Sequence, residues 1–186
     1  FPDNGCCESA QKKNMPELVP VVTESEIEKR VRELAVEISD MYRDKDLVLV
    51  GTLKGCFIFM ADLVRQLKIP VKIDFIAASS YGDSHESSGE VRITKSLSLD
   101  IKDKDVIIIE DIVDSGITLS FLNDYLLSHK PASLRVCTLI DKPERRKKEV
   151  RIDFTGHVVE EGFLVGYGLD YAEQYRYLPA IYHLKF

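Results

Sequence analysis

The sequence predicts a single α/β domain, a twisted and mainly parallel sheet flanked by helices. Apolar strand patterns recur along it, at Leu47–Leu53, Val71–Ser79 and Leu134–Ile140, and Val106–Ile109 is an unbroken β-branched run. Runs of that length without polar alternation fit strands buried on both faces. Segments with apolar residues at helical spacing alternate with them, beginning near Ile27, Phe57 and Leu119, which is the pattern of βαβ units. At 186 residues the chain is one domain in size and can bury a sizeable core.

Composition excludes several classes. Hydrophobic residues make up 45% and charged residues 30%, so wholesale disorder is not expected. A formal net charge of −6 argues against a nonspecific nucleic-acid binder. No apolar run approaches the length of a membrane span, and no signal-peptide pattern opens the chain. Of the four cysteines, Cys6 and Cys7 are adjacent, whereas Cys56 and Cys137 stand alone in apolar surroundings. None has metal-ligand spacing. Buried, reduced thiols are the reading for the latter two, and they suit the cytoplasm.

Taken in order, residues 1–14 are polar and aperiodic and read as a tag or a poorly ordered leader; the domain is expected over 15–186. Thr23, Glu24, Ser25 and Glu26 form a capping-box pattern. Ile27, Val31, Leu34, Ala35, Ile38 and Met41 follow, which predicts a helix to about Tyr42. The strand at Leu47–Leu53 runs into Lys54 and Gly55, and Phe57–Leu67 resumes a helical pattern. Ser79–Ile93, rich in serine and glycine, reads as a surface loop or, more sharply, a flexible lid. Arg92–Leu97 is expected to return from it as a strand, and His85 is left as a solvent residue.

The organising stretch is Val106–Thr118. Four β-branched residues lead into Glu110 and Asp111, expected where the strand emerges into solvent. Asp114, Ser115, Gly116, Ile117 and Thr118 follow, then leucines at helical spacing. A strand, a glycine-containing turn and a helix start can aim backbone N–H groups and hydroxyls at a phosphate. Acids crowded beside such a cradle suggest sugar hydroxyls needing acceptors, a divalent metal, or a proton to be moved.

This pattern resembles the phosphoribosyl-pyrophosphate motif of type I phosphoribosyltransferases: a β-branched run, two acids, two aliphatics, Asp, then Ser, Gly and Thr. The resemblance implies that family's fold, with a small hood over the sheet. It also implies that Glu110 and Asp111 meet the ribose and a Mg²⁺ ion, while the turn 114–118 holds the 5′-phosphate. Further segments resemble the hypoxanthine–guanine members. Leu53, Lys54 and Gly55 match a turn whose backbone contacts pyrophosphate and which often contains a non-proline cis peptide; Cys56 stands where a second glycine is frequent. Ser80 and Tyr81 match a pair on the catalytic loop. Lys142 matches a lysine that donates to the purine 6-oxo oxygen, and Arg146 is weakly assigned near the phosphates.

In the last stretch, Phe163 matches the aromatic stacked on the base, and the Leu164 backbone matches the contact to the purine C2 edge. Asp170 matches a purine-site ligand of a pyrophosphate-bound metal, and Arg176 matches a pyrophosphate contact. Tyr167, Tyr171 and Tyr175 read as core or dimer contacts. The implied reaction moves a phosphoribosyl group to N9 of hypoxanthine or guanine, with Asp114 as the catalytic acceptor at N7. Relatives of this kind are homodimers or homotetramers. Two rivals remain at this point: an RNA-binding regulator that keeps the fold, and a phospho-acceptor signalling domain. Within the enzyme reading, a preference for xanthine is also open.

Overall fold

Strands that carry aliphatics on both faces need a cover on both faces, and the chain supplies it with helices. The computed structural model describes residues 16–80 and 91–186. In chain order the elements are β1 (Glu17–Val22), α1 (Glu24–Met41), β2 (Leu47–Thr52), α2 (Phe57–Gln66), β3 (Val71–Ser80) and β4 (Val91–Lys95). Then come β5 (Asp105–Val113), α3 (Ile117–Ser128), β6 (Ser133–Asp141), a 3₁₀ turn at Pro143–Arg145, β7 (Phe154–Val158), β8 (Leu164–Val165) and β9 (Ile181–Lys185).

Six strands form the main sheet in the order β4-β3-β2-β5-β6-β7. All neighbours are parallel except the edge strand β4, which runs antiparallel to β3. Side-chain alternation divides the core in two. Leu47, Leu49, Ile107 and Ile109 pack with the buried residues of α1 and α2 on one side. Val48, Val50, Val106 and Ile108 pack with Leu119, Leu122 and Leu126 of α3 on the other.

The capping box forms as expected: Glu26 N donates to Thr23 Oγ1 at 3.3 Å and Thr23 N to Glu26 Oε2 at 2.8 Å. Arg30 on α1 reaches the edge strand β7, donating to Thr155 O at 2.8 Å and pairing with Glu37 at 2.9 Å. Cys56 and Cys137 are free and buried.

Three expectations are corrected. The central strand does not end at Ile109 but continues to Val113, so Glu110 and Asp111 lie within β5 and Glu110 is buried. Pairing with β6 carries it on, through Glu110 with Thr138 and Ile112 with Ile140. The returning strand after the serine-rich stretch is β4, ending at Lys95 rather than Leu97. Of the two readings given to Tyr171, core or dimer contact, the core one falls, for it is 41% exposed. The small antiparallel sheet β1-β9-β8 is the hood. The expected leader, residues 1–14, lies outside the described residues. Among the described residues, no helix is long and apolar enough to cross a membrane.

Ile109 is fully buried in the centre of β5. We expect Ile109→Ala to cost ~2–5 kcal/mol in denaturant unfolding, because the strand's neighbours cannot collapse into the space.

Candidate functional site

The sheet order makes a crevice. From β2 the chain crosses to β3 on one side, and from β5 it crosses to β6 on the other. The loops at the carboxyl ends of these two central strands therefore diverge, and in open α/β sheets ligands bind where they part. The loops after β2, β5 and β6 carry most of the residues singled out from the sequence.

Glu110 and Asp111 are consecutive in β5 and so point to opposite sides of it. Glu110 lines a cavity with Asp114, Ser115, Gly116 and Thr118. Asp111 lines an adjoining one with Asp114, Lys142, Phe163, Leu164 and Asp170. Ile112 and Asp114 border both, so the two form one cleft. The first cavity meets the start of α3, where Ile117 and Thr118 open the helix and its first amides have no intrahelical acceptor.

Of the acid pair near the end of β5, Glu110 is buried and Asp111 half-buried. Thr52 Oγ1 donates to Glu110 Oε2 at 2.5 Å and lies 3.1 Å from Ile109 O. Burial, with the Asp111 charge beside it, pushes the Glu110 carboxyl up to about 8. Burial likewise raises Asp111 to about 6, opposed by backbone N–H donors and by Arg176.

The turn after β2 lies directly against Asp111. The Leu53–Lys54 peptide is cis. A methyl group on Gly55 would sit 1.6 Å from Asp111 Oδ2, and one on Gly168 would sit 2.0 Å from Gly55 O. Gly168 also has φ +101°, a backbone region disfavoured for other residues. Carboxylate, turn and glycine loop are thus stacked at backbone contact.

Beside this stack, Arg176 donates to Gly168 O at 2.7 Å and pairs with Asp170 at 2.7 Å. Glu173 bridges Arg176 at 3.4 Å and Lys54 at 3.0 Å. Asp170 Oδ2 also accepts from Glu173 N, so both of its oxygens have a donor. Among the described residues, no group of three or more His, Cys, Asp or Glu could hold a metal by itself.

On the other side, Asp114 Oδ1 is buried without a partner, and Oδ2 lies 3.4 Å from Arg145. Lys142 is 5% exposed and donates to Gly162 O at 2.8 Å. Phe163 is half-exposed at the cleft mouth, edge-on to Tyr171 at 5.5 Å between ring centroids. Arg146 donates to Asp114 O at 3.0 Å and Val113 O at 3.1 Å and pairs with Asp141. It therefore holds the backbone of the phosphate turn. Lys147 N and Lys148 N add to that hold by donating to Ser115 O.

Nearly all the residues singled out from the sequence come together here. Ser80 is the last residue of β3 and the end of the expected lid lies in β4, whereas Tyr81 and residues 82–90, His85 included, lie outside the described residues. Sequence reasoning missed Thr52, Gly168, Arg145 and Glu173. Thr52 had a signal, as the one hydroxyl closing an apolar strand, and Gly168 and Glu173 lie in or beside the family-like run at 165–171, whereas Arg145 had none because Asp114 is distant in sequence.

A crevice with acids on the central strand and a glycine turn opening a helix after it suits a phosphorylated sugar. The family profile described as phosphoribosyl transferase domain matches residues 21–172, and the chain belongs to that family. Within the family it is 47% identical over 163 residues to the hypoxanthine phosphoribosyltransferase of Salmonella typhimurium, covering 87% of this chain and 92% of that one. It is also 47% identical to the hypoxanthine-guanine phosphoribosyltransferase of Bacillus subtilis, covering 89% and 92%. A crystal structure of a hypoxanthine phosphoribosyltransferase from Staphylococcus aureus superposes with a TM-score of 0.86 at 44% identity, covering 89% and 90%.

The raised Glu110 carboxyl has a consequence for stability. Between the ordinary value of 4.5 and about 8, the folded protein keeps a proton that the unfolded chain releases. The metal-free, ligand-free protein therefore loses stability as pH rises through that window. We expect Glu110→Gln to flatten the loss and raise Tm at pH 8, by ~2–4 °C for each kcal/mol relieved, with little change near pH 4.5. Calorimetry of both proteins in chelator checks it.

Proposed function

We propose that this chain transfers a 5-phosphoribosyl group from phosphoribosyl pyrophosphate to hypoxanthine or guanine, giving the nucleotide and pyrophosphate. The observation that supports this most is the pair of cavities joined at Asp114. One has phosphate chemistry, and the other has a buried lysine and an exposed aromatic ring suited to a flat base.

In this reading the turn from Asp114 to Thr118 and the first amides of α3 take the 5′-phosphate. Glu110 and Asp111 accept from the ribose hydroxyls. The backbone of Leu53, Lys54 and Gly55, with the fork of donors on Arg176, takes pyrophosphate. The purine stacks on Phe163, with Lys142 at its 6-oxo oxygen and the Leu164 backbone at C2. N9 forms its bond to C1′ as the bond from C1′ to pyrophosphate breaks and its electron pair leaves with the diphosphate. The N7 proton is taken or shared by Asp114, whose unpartnered buried oxygen is available for it. Arg145 lies beside that carboxylate and must yield part of its contact when the base enters.

Mg²⁺ fits the residues present. It is held by one or two carboxylates together with substrate phosphates rather than by a protein cage, which suits buried acids with raised values and the absence of a three-ligand cluster among the described residues. Asp111 and Asp170, which line the same cavity, would hold it, Asp170 through the lone pairs its two donors leave; Glu110, the third acid expected from the sequence, faces the other cavity. When bound, it neutralises charge developing on the leaving pyrophosphate.

A cytoplasmic homodimer or homotetramer is part of the same reading. Leu53, Phe57 and Tyr177 near the pyrophosphate side are exposed apolar side chains that a second copy would cover. The RNA-binding alternative draws no support from the acidic balance, nor from relatives that are named as enzymes.

One assay tests the proposal: phosphoribosyl pyrophosphate and Mg²⁺ with hypoxanthine, guanine, xanthine and adenine in turn. Turnover of the first two carries it, and turnover of none defeats it. We expect Asp114→Asn to lower kcat by roughly 10²–10⁴-fold, with a much smaller change in binding of phosphoribosyl pyrophosphate by calorimetry. Unchanged turnover would remove the base role.

A further inference from the structure

We infer that His183 is a positioning residue for purine selectivity, holding Gly162 and, through the Gly162 carbonyl, the Lys142 ammonium. The inference rests on the proposed role of Lys142 at the 6-oxo oxygen.

Lysine is a flexible stem with three rotatable donors, so a selective contact needs something to aim it. Here that group is the Gly162 carbonyl, 2.8 Å from Nζ of a side chain that is itself buried. Gly162 holds φ +91°, and a Cβ built there would lie 2.6 Å from His183 Nε2 and 2.7 Å from Cδ2. The imidazole ring thus fills the space a side chain at 162 would need and forms the floor under this turn.

His183 is well placed to be that floor. It sits in β9, the middle strand of the hood, paired with Val19 of β1 and Leu164 of β8. The next residue, Leu184, donates its N–H to Phe163 O at 2.9 Å. Two consecutive residues of β9 therefore hold Gly162 and Phe163, the residue aiming the lysine and the ring proposed to carry the base. His183 Nε2 is buried with no hydrogen-bond partner, so the ring acts through its shape. Removing the ring lets the turn sink, the carbonyl swing and Nζ regain its rotamers.

The test is steady-state kinetics with hypoxanthine and adenine, varied separately from phosphoribosyl pyrophosphate. We expect His183→Ala to lower the hypoxanthine-to-adenine ratio of kcat/KM about tenfold, through KM for the purine. KM for phosphoribosyl pyrophosphate stays where it was. His183→Leu, similar in volume and without nitrogen, recovers most of the ratio. In a Lys142→Ala background, His183→Ala changes the ratio no further, a result that general weakening of the hood would not produce. A wild-type ratio in His183→Ala alongside a collapsed ratio in Lys142→Ala overturns the inference and leaves the reading of Lys142 standing. An unaltered ratio in Lys142→Ala overturns both. Equal rises in both KM values, or no recovery in His183→Leu, also count against it.

Discussion

The site depends on one steric constraint, the contact of the Asp111 carboxylate with the backbone of Gly55 and of Gly55 with Gly168. Three chain segments far apart in sequence meet there with no side chain between them. The contact brings the turn after β2, the end of β5 and the loop before Arg176 to a single point. Any Cβ at Gly55 or Gly168 would force these layers apart and open the cleft from its pyrophosphate side. Arg176 completes the arrangement by bonding both the Gly168 carbonyl and Asp170.

The same crowding sets the electrostatics. Glu110 and Asp111 share the end of a strand covered on both faces, so water solvates the charge of buried Glu110 hardly at all and that of half-buried Asp111 only in part. An apolar pair here would make a more stable strand. The acids stay protonated more readily than free carboxylates, and in the proposed function a bound cation would supply the counter-charge they lack. Stability is thus given up at the place where binding will later restore it, as is common at functional sites. Arg146 and the backbone of Lys147 and Lys148 tie down the turn after β5 from behind. The basic run therefore has a structural duty as well as a charge.

Much of this was legible in the chain. The helix from the capping box and four strands of the main sheet followed from local patterning, and their bounds held nearly to the residue except at the end of β5. The phosphate turn was legible because strand, glycine turn and helix start are consecutive. The end of β5 was misjudged because a polar residue inside a strand is legible only when its cross-strand partners are known; Thr52 and Thr138 supply them. The hood strands were missed for another reason. β8 has two residues, and β1 contains Pro20, so neither shows a period, and each exists only because β9 pairs with it.

By itself the sequence determined the class of the fold and the chemistry of each loop, since both are written in contiguous stretches a few residues long. Tertiary structure alone decided that Glu110 lies against Thr52, that Gly168 closes on Gly55, and that His183 lies under Gly162. Those facts join residues separated by tens of positions. No local preference encodes such distances, which follow only once the sheet order has been chosen and the backbones have closed to contact.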